Sequence, residues 1–346
     1  MNNRVSKPAN WQEIQARMSQ PRPSLSPSRF GDFEFDEFTE ACERAMNEPK
    51  TMAQVIPMIA GTADKHHRSM ADVQFDRVAS FDQGLAFAKP DLYYGAAPET
   101  IDRRVRSDLD NRIIPSNNTH YPAVPNFFFE AKSEKGRADV AKKQACHNGA
   151  IGARAMHSLQ NYGADEVVYD GEAYSFTSTY LDGQLKMYTT HPTAPKTTGQ
   201  RAGYHMTQMR SFAMTDTAER FREGATFYRN TRDLAGAQRS CFIEQANNFV
   251  SQLPADTPAS SCISSHTSVS VSVPPDGDSD TSVDELALDA APPKRSRYSS
   301  ARSRQSSTQA RRSESTVAAV APDLQGLQRS MNAQDTINST RTSRLQ

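Results

Sequence analysis

The stretch 124–144, VPNFFFEAKSEKGRADVAKKQ, contains a run of three phenylalanines that ends in a glutamate and a lysine one residue apart. Side chains alternate between the two faces of a strand, so Phe128, Glu130 and Lys132 share one face. The two flanking phenylalanines face the opposite way. The sequence therefore predicts a core strand that directs a carboxylate and an ammonium group into one common space.

The segments before and after this strand carry helical patterns. Apolar residues at helical spacing predict a helix over about 33–48, with an acidic outer side. A stripe of small residues predicts a second helix over about 138–162 that packs closely on a sheet. Asp216 or Thr217 can cap a long final helix. The strand is thus expected to lie between helices.

Further strands are predicted on both sides of the phenylalanine run. The segment 85–95, LAFAKPDLYYG, predicts a strand that contains Pro90-Asp91, and 203–214 predicts another. The segment 166–193 predicts strands linked by hairpins at the dipeptides Asp170-Gly171 and Asp182-Gly183. This order of elements predicts an α/β (α+β) domain with a central mixed sheet flanked by helices.

The C-terminal part of the chain differs in composition from the rest. Tyr298 is the only aromatic residue beyond position 250. A segment with almost no large apolar groups cannot bury enough surface to offset its chain entropy. We therefore expect one folded domain over 32–253 and a disordered tail, rich in Ser, Thr and Pro, over 254–346.

Two further segments are expected to lie outside the regular core. Residues 1–31 are polar and interrupted by prolines, which predicts a disordered lead-in with at most one short helix over 11–18. Residues 96–123 are rich in charge, proline and asparagine. They predict an insertion between two strands, with room for a short helix.

Charge is balanced overall but not locally. The 40 Lys and Arg residues equal the 40 Asp and Glu residues, so no global field indicates a polyanionic partner. The segment 132–154 is mainly basic, which is compatible with a phosphate-facing side or with a solvated helix face. The cluster 294–312 holds seven basic residues and no acid. It can act as a signal for a nuclear import receptor, bind nucleic acid loosely, or simply be solvated.

Several classes of protein are disfavoured by the sequence. The four cysteines form no CxxC pair, which argues against a zinc site and against a secreted disulfide framework. No window approaches 18 apolar residues, and the N-terminus lacks a signal-peptide core. We expect an intracellular, nuclear protein that does not contact a membrane. The sequence does not indicate its oligomeric state.

The charged residues at the ends of the two strands form a candidate catalytic group. Hydrolysis of a phosphodiester needs a divalent metal held by oxygens and positive charge near the developing oxyanion. If the two strands are adjacent, Asp91, Glu130 and the carbonyl of Ala131 can converge on one Mg²⁺. Lys132 would then orient or deprotonate the attacking water.

This arrangement resembles the PD-(D/E)xK nuclease superfamily, with Pro90-Asp91 as the first half of the motif and Glu130-x-Lys132 as the second. Gln144 on the following helix matches a glutamine that some branches place near the site. The resemblance implies a restriction-endonuclease-like αβββαβ core, Mg²⁺ or Mn²⁺ as cofactor, and DNA or RNA as substrate. The segments KPDLYYG, FFFEAKS and AKKQACHNGAIGARAMHSL further resemble a fungal family of nuclease-like domains of unknown function.

Two alternatives stay open at the level of sequence. The domain can be an active nuclease, or a catalytically inactive descendant of the same fold that binds nucleic acid or protein in the nucleus. The 38 residues between Asp91 and Glu130 must also loop out, because a strand inserted there would separate the two. Other candidate ligands, each more simply explained as a surface or packing residue, are Glu40, Glu43, His66, His67 and His147.

Overall fold

The computed structural model describes residues 7–61, 67–197 and 199–253. Across them the strands are β1 (Arg68–Ala71), β2 (Leu92–Ala96), β3 (Ala123–Lys132), β4 (Ser175–Leu181), β5 (Gln184–Thr193) and β6 (Gly203–Ala213). The helices are α1 (Trp11–Met18), α2 (Asp32–Arg44), α3 (Glu48–Lys50), α4 (Ile56–Ala60), α5 (Arg103–Asp108), α6 (Asp110–Ile113), α7 (Ala138–Gln160) and α8 (Ala218–Gln252). A π-helical turn, Thr51–Val55, connects α3 to α4.

Within the described ranges the six strands form a single sheet whose spatial order equals their order along the chain. Neighbouring strands are antiparallel except β3 and β4, which are parallel. A parallel pair needs a crossover connection, and α7 supplies it. The predicted fold class, a mixed sheet flanked by helices, is therefore confirmed.

Strand β3 is buried on both faces and lies between the two longest helices. The rings of Phe127 and Phe129 pack edge-on against Tyr228 of α8, with centroids 5.1 and 5.8 Å away. Phe128 lies on the other face in a separate apolar cluster that includes Phe75 and Ile151 of α7. The alternation predicted from the sequence is thus confirmed.

Small residues allow α7 to approach the sheet closely. A Cβ atom at Gly149 would clash with the hydroxyl of Thr190 on β5. A Cβ atom at Gly152 would lie 2.8 Å from the ring of Phe128 and would also clash with Ser175. The helix predicted over 138–162 is confirmed, and its glycines are explained by close packing.

The N-terminal segment is part of the folded domain, so the disordered lead-in predicted over 1–31 is wrong for the described residues 7–31. The short helix predicted there is present as α1, whose Ile14 and Met18 are almost fully buried. These two residues lie one helical turn apart and form an apolar stripe. The side chain of Asn230 on α8 donates to the carbonyls of Met18 and Gln20, which holds the segment in place.

The strand predicted over 85–95 is shorter than expected, and the prediction that Pro90-Asp91 lies within it is wrong. Pro90 has no amide hydrogen for a sheet, so regular pairing begins only at Leu92. Asp91 therefore directly precedes β2. The sequence patterns also did not predict β1.

Of the two hairpin turns predicted over 166–193, one is present and the other is not. Asp182 and Gly183 both have positive φ, 45° and 69°, as the tight hairpin between β4 and β5 requires. The dipeptide Asp170-Gly171 lies in irregular chain before β4 and links no hairpin. Thr217 caps α8 as predicted, by accepting a hydrogen bond from the amide of Arg220.

The insertion predicted over 96–123 loops out of the sheet. The fully described segment 97–122 contains no strand, only a 3₁₀ turn, Pro98–Thr100, and the short helices α5 and α6. Strands β2 and β3 consequently pair directly. The residues between Asp91 and Glu130 therefore loop out without adding a strand, as the predicted site requires.

Helix α8 also fixes the position of α4. Arg229 donates to the carbonyls of Met58 and Ile59, and Arg232 donates to that of Ala60, each at 2.9 Å. These carbonyls lie at the C-terminal end of α4, where no helical partner is available to them. The adjacent Gly61 has a φ of 60° and leaves room for the guanidinium of Arg229. The two arginines therefore tie the segment 48–60 to α8.

Some predictions fall outside the described residues. They concern the tail over 254–346, its basic cluster 294–312, and His66. Among the residues that the structure describes, Cys42, Cys146 and Cys241 are free. None of the helices in the described part of the chain has the length and apolar character needed to cross a membrane.

The contact between α7 and the sheet can be tested with Gly152→Ala. We expect the free energy of unfolding to fall by roughly 1–3 kcal/mol, because the added methyl group overpacks a buried contact. The matched control is Gly84→Ala, where a Cβ atom would meet nothing closer than 3.6 Å, and its effect should stay within about 0.5 kcal/mol. Urea denaturation measures both. Equal effects would contradict the close packing of α7.

The contact between Arg22 of the N-terminal segment and Asp233 of α8 predicts that the stability of the fold depends on pH. Partial burial alone would raise the pKa of Asp233, but hydrogen bonds from His67 and Arg22 outweigh it and hold this pKa well below its ordinary value. The interaction therefore stabilises the fold above about pH 4 and is lost as the pH falls further.

Asp233→Asn should lower the free energy of unfolding at pH 7 by about 1 kcal/mol, the range of a partly exposed pair. The difference from the wild type should shrink between pH 4 and lower pH, as measured by urea denaturation at each pH. The exposed Asp165→Asn is the control. A difference that does not change with pH would argue against the ion pair.

Candidate active site

Two neighbouring strands bring the predicted carboxylates together. Leu92 lies opposite Phe129 in the antiparallel register, and continuing this register by one residue places Asp91 opposite Glu130. Opposite residues of such a pair have their Cβ atoms about 4.5–5.5 Å apart. The amide of Ala131 donates to Oδ2 of Asp91 at 2.7 Å, which fixes that carboxylate beside β3. The sequence-predicted residues Asp91, Glu130 and Lys132 thus meet in one place.

Lys132 is held by a buried ion pair with a residue that the sequence analysis did not identify. Its Nζ lies 3.0 Å from Oε2 of Glu48, and the side chains are 3% and 9% exposed. Glu48 begins α3, and Asn47 caps this short helix by accepting from the amide of Lys50. A buried charge needs a partner, and each member of this pair supplies one for the other.

Glu130 is the most buried carboxylate of the group, with 1% of its surface exposed. Asn148 of α7 donates a hydrogen bond to its Oε1. Its Oε2 is buried and has no hydrogen-bond partner among the described residues. One oxygen is thus oriented by the protein, while the other remains able to accept a ligand.

The electrostatics of the site reflect three carboxyl groups around one lysine. Burial raises the pKa of Asp91 to about 7, with a further increase from Glu48 and an opposing effect of Lys132. Burial also raises the pKa of Glu130 well above its usual range, and Asp91 adds to this. Such shifts are concentrated at functional sites. The group has three carboxyl groups and only one ammonium group, so a bound cation would balance its charge.

A tight turn, residues 133–136, directly follows Lys132. The amide of Gly136 donates to the carbonyl of Ser133 at 2.8 Å. A Cβ atom at position 136 would lie 2.6 Å from Cβ of Lys132, so only glycine lets the chain pass so close to the lysine. The turn leads directly into α7, which carries Asn148.

The other residues that the sequence suggested as ligands or as catalytic groups differ in burial and in their contacts. Gln144 is half-buried on α7, one turn before Asn148 and on the same helical face. Glu40 and Glu43 are exposed on α2, and neither contacts the site. His147 packs edge-on against Phe81, and burial lowers its pKa to about 4. Of these, Gln144 is the one that shares a helical face with Asn148.

Two residues of this group, Glu48 and Asn148, are absent from the candidates that the sequence predicts. The sequence predicts a helix that ends before Pro49, whereas a new helix with proline at its second position begins at Glu48. Asn148 carried a usable signal, since it lies four residues after Gln144 and such residues share a helical face.

The residues present are compatible with a divalent cation. The unpartnered Oε2 of Glu130 and the excess of carboxyl groups both favour one. Within the described ranges, no three His, Cys, Asp or Glu side chains lie together in an arrangement that would hold a metal. Mg²⁺ needs no third side chain, because it commonly binds one or two carboxylates and retains several waters.

Comparison with known proteins places the chain in a family. The family model of a domain of unknown function, DUF7924, matches residues 35–246, which is more than half of the chain. The chain therefore belongs to this family, and the matched region includes Glu48, Asp91, Glu130 and Lys132. No curated protein and no solved structure matches the chain.

The crowding of carboxylates predicts that the site lowers the stability of the fold. Glu130→Gln removes a carboxyl group whose charged form is disfavoured by burial and by Asp91, while its Oε1 can still accept from Asn148. We expect the free energy of unfolding at pH 8, without divalent metal, to rise by about 0.5–2 kcal/mol.

The matched control for this prediction is Glu13→Gln, which changes an exposed glutamate on α1. Its effect should be within about 0.5 kcal/mol. Thermal or urea denaturation compares the two variants with the wild type. A loss of stability in Glu130→Gln would mean that Glu130 is a structural residue.

Proposed function

We propose that this DUF7924 protein is a metal-dependent nuclease that hydrolyses phosphodiester bonds in DNA or RNA, with Mg²⁺ or Mn²⁺ as cofactor. The main support is the convergence of Asp91, Glu130 and Lys132 from the ends of two adjacent strands. A carboxylate pair beside a buried lysine offers the oxygens and the positive charge that phosphodiester hydrolysis needs.

The order of elements supports the resemblance to the PD-(D/E)xK superfamily. If the short helices α3 to α6 are left out, helix α2 is followed by β1, β2 and β3, then by α7 and β4. This is the αβββαβ order that the resemblance implies, with the motif residues beside β2 and at the end of β3. Membership of that superfamily is part of the proposal.

Asp91 and Glu130 would hold the metal, together with the carbonyl of Ala131. When bound, such a metal polarises the phosphate and makes a coordinated water more acidic. The protein fixes both carboxylates beforehand, one through the amide of Ala131 and the other through Asn148. Orientation of this kind reduces the reorganisation needed during the reaction.

Lys132 would orient the attacking water and stabilise negative charge on the phosphate. Its ion pair with Glu48 holds the ammonium group in one position inside the site. Glu48 therefore acts as a positioning residue for the lysine. Gln144, on the same face of α7 as Asn148, would contact the substrate or the attacking water.

The substrate would approach along the basic side of the turn and the first turns of α7. Lys135, Lys142 and Lys143 are exposed there, close in sequence to the site. Exposed cations of this kind bind phosphates without reading the base sequence. The nuclear location expected from the basic cluster 294–312 also belongs to this proposal.

The proposal is tested by cleavage of DNA and RNA substrates by the purified full chain. We expect cleavage with Mg²⁺ or Mn²⁺ and none with EDTA. Glu130→Gln and Lys132→Ala should each reduce the rate at least about 100-fold, the usual effect of losing a group that acts on the transition state. Glu48→Gln should reduce it less, because the lysine remains.

Lys196→Ala is the matched control for the lysine variant. This exposed residue follows β5, at the end of that strand away from Lys132. Its activity should equal that of the wild type. Cleavage that survives both Glu130→Gln and Lys132→Ala would contradict the assignment of the site.

An inactive nuclease-like domain that binds nucleic acid or protein is the second candidate. It is favoured by the lack, within the described ranges, of a three-residue metal-ligand cluster, and by the close ion pair of Lys132 with Glu48. This candidate predicts binding that is insensitive to EDTA and to Lys132→Ala. If nucleic acid is the ligand, its binding should weaken as salt increases.

A further inference from the structure

A cavity lies in the insertion between β2 and β3. It has a volume of about 390 Å³ and is formed by helices α5 and α6, the loop 114–121 and Arg77. This volume is within the range of small-molecule sites, roughly 300–1,000 Å³. The cavity adjoins the beginning of β3, whereas Glu130 lies seven residues further along that strand, about 23 Å away. It is therefore separate from the carboxylate site.

The walls of this cavity carry an excess of positive charge. Its charged lining residues are Arg77, Arg103, Arg106 and Asp110. Arg77 is paired with Asp110 at 2.8 Å. Arg103 and Arg106 form no ion pair within the described residues, and the Nε of Arg106 is buried without a hydrogen-bond partner. Two guanidinium groups therefore remain available to an anion.

The other carboxylates of the insertion do not neutralise these arginines. Glu99 pairs with Arg68 on β1 at 2.7 Å. Asp102 caps α5 by accepting from the amide of Arg104. Asp108 accepts from the hydroxyl of Tyr162, at the end of α7. Three of the four carboxylates of the insertion thus have partners other than Arg103 and Arg106, and the fourth, Asp110, is paired with Arg77.

We propose that this cavity binds a phosphate group, either as free phosphate or as part of a nucleotide or of a nucleic-acid end. The planar guanidinium fork matches phosphate oxygens and can donate two parallel hydrogen bonds. Thr119 and Tyr121 also line the cavity, and both side chains carry a hydroxyl group that can donate a hydrogen bond. The volume leaves room for a sugar or base beside the phosphate.

The proposal does not depend on the nuclease activity and can be tested without it. Calorimetric titration of the full chain in EDTA, at low ionic strength, would use inorganic phosphate, adenosine monophosphate and a short oligonucleotide with a 5′-phosphate. The same oligonucleotide with a 5′-hydroxyl is the comparison. Chelation removes any metal-dependent binding at the carboxylate site, and the arginine variants below identify the part of the binding that belongs to this cavity.

We expect saturable binding of at least one phosphate-bearing probe. Arg103→Ala and Arg106→Ala should each weaken it about tenfold, because each removes a charged donor. Arg106→Lys should have a smaller effect, since it retains the charge but not the fork. Arg103 is exposed, so its removal does not threaten the fold. The control is Arg29→Ala, at an exposed position before α2.

The results distinguish the sources of the phosphate. Binding of inorganic phosphate alone supports a site for the free ion, and tighter binding of the monophosphate supports a nucleotide. A preference for the 5′-phosphorylated oligonucleotide over its 5′-hydroxyl form supports a nucleic-acid end. The absence of saturable binding by every probe, or binding that both alanine variants leave unchanged, would overturn the proposal.

Discussion

The burial of β3 on both faces is the constraint on which the rest of the structure depends. Phe127 and Phe129 pack against α8, while Phe128 packs on the side of α7. A slip of one residue would exchange the faces and place charged groups where the rings belong. Each buried ring contributes roughly 1.5–3 kcal/mol, so such a slip is strongly disfavoured. The register of an apolar strand therefore determines where Glu130 and Lys132 point.

The charged group at the end of β3 conflicts with the usual requirements of a core. Glu48, Asp91 and Glu130 share one buried lysine, and one carboxylate oxygen has no partner among the described residues. A domain selected for stability alone would replace such a group with apolar residues. Local conflicts of this kind are expected where function has been favoured over stability. The supporting contacts from Asn148 and the amide of Ala131 hold the arrangement in place.

Local patterns in the sequence predicted most of the regular elements and part of the site. The small residues of α7, the Asp182-Gly183 hairpin and the alternation in β3 are set by neighbours in the chain. The same patterns failed where distant contacts decide the outcome. The polar N-terminal segment is ordered because Asn230 and α8 hold it. Glu48 joins the site through tertiary packing of a helix of three residues, which no periodicity can indicate.

The ties from α8 to α4 have a consequence for how the protein is made. Glu48 belongs to a segment whose far end is held by Arg229 and Arg232. The lysine and its partner are therefore brought together by residues synthesised some 180 positions after Glu48. A chain that is still being translated lacks α8 until nearly the whole domain has emerged from the ribosome. The site is thus completed only after α8 has been synthesised and has packed against the segment 48–60.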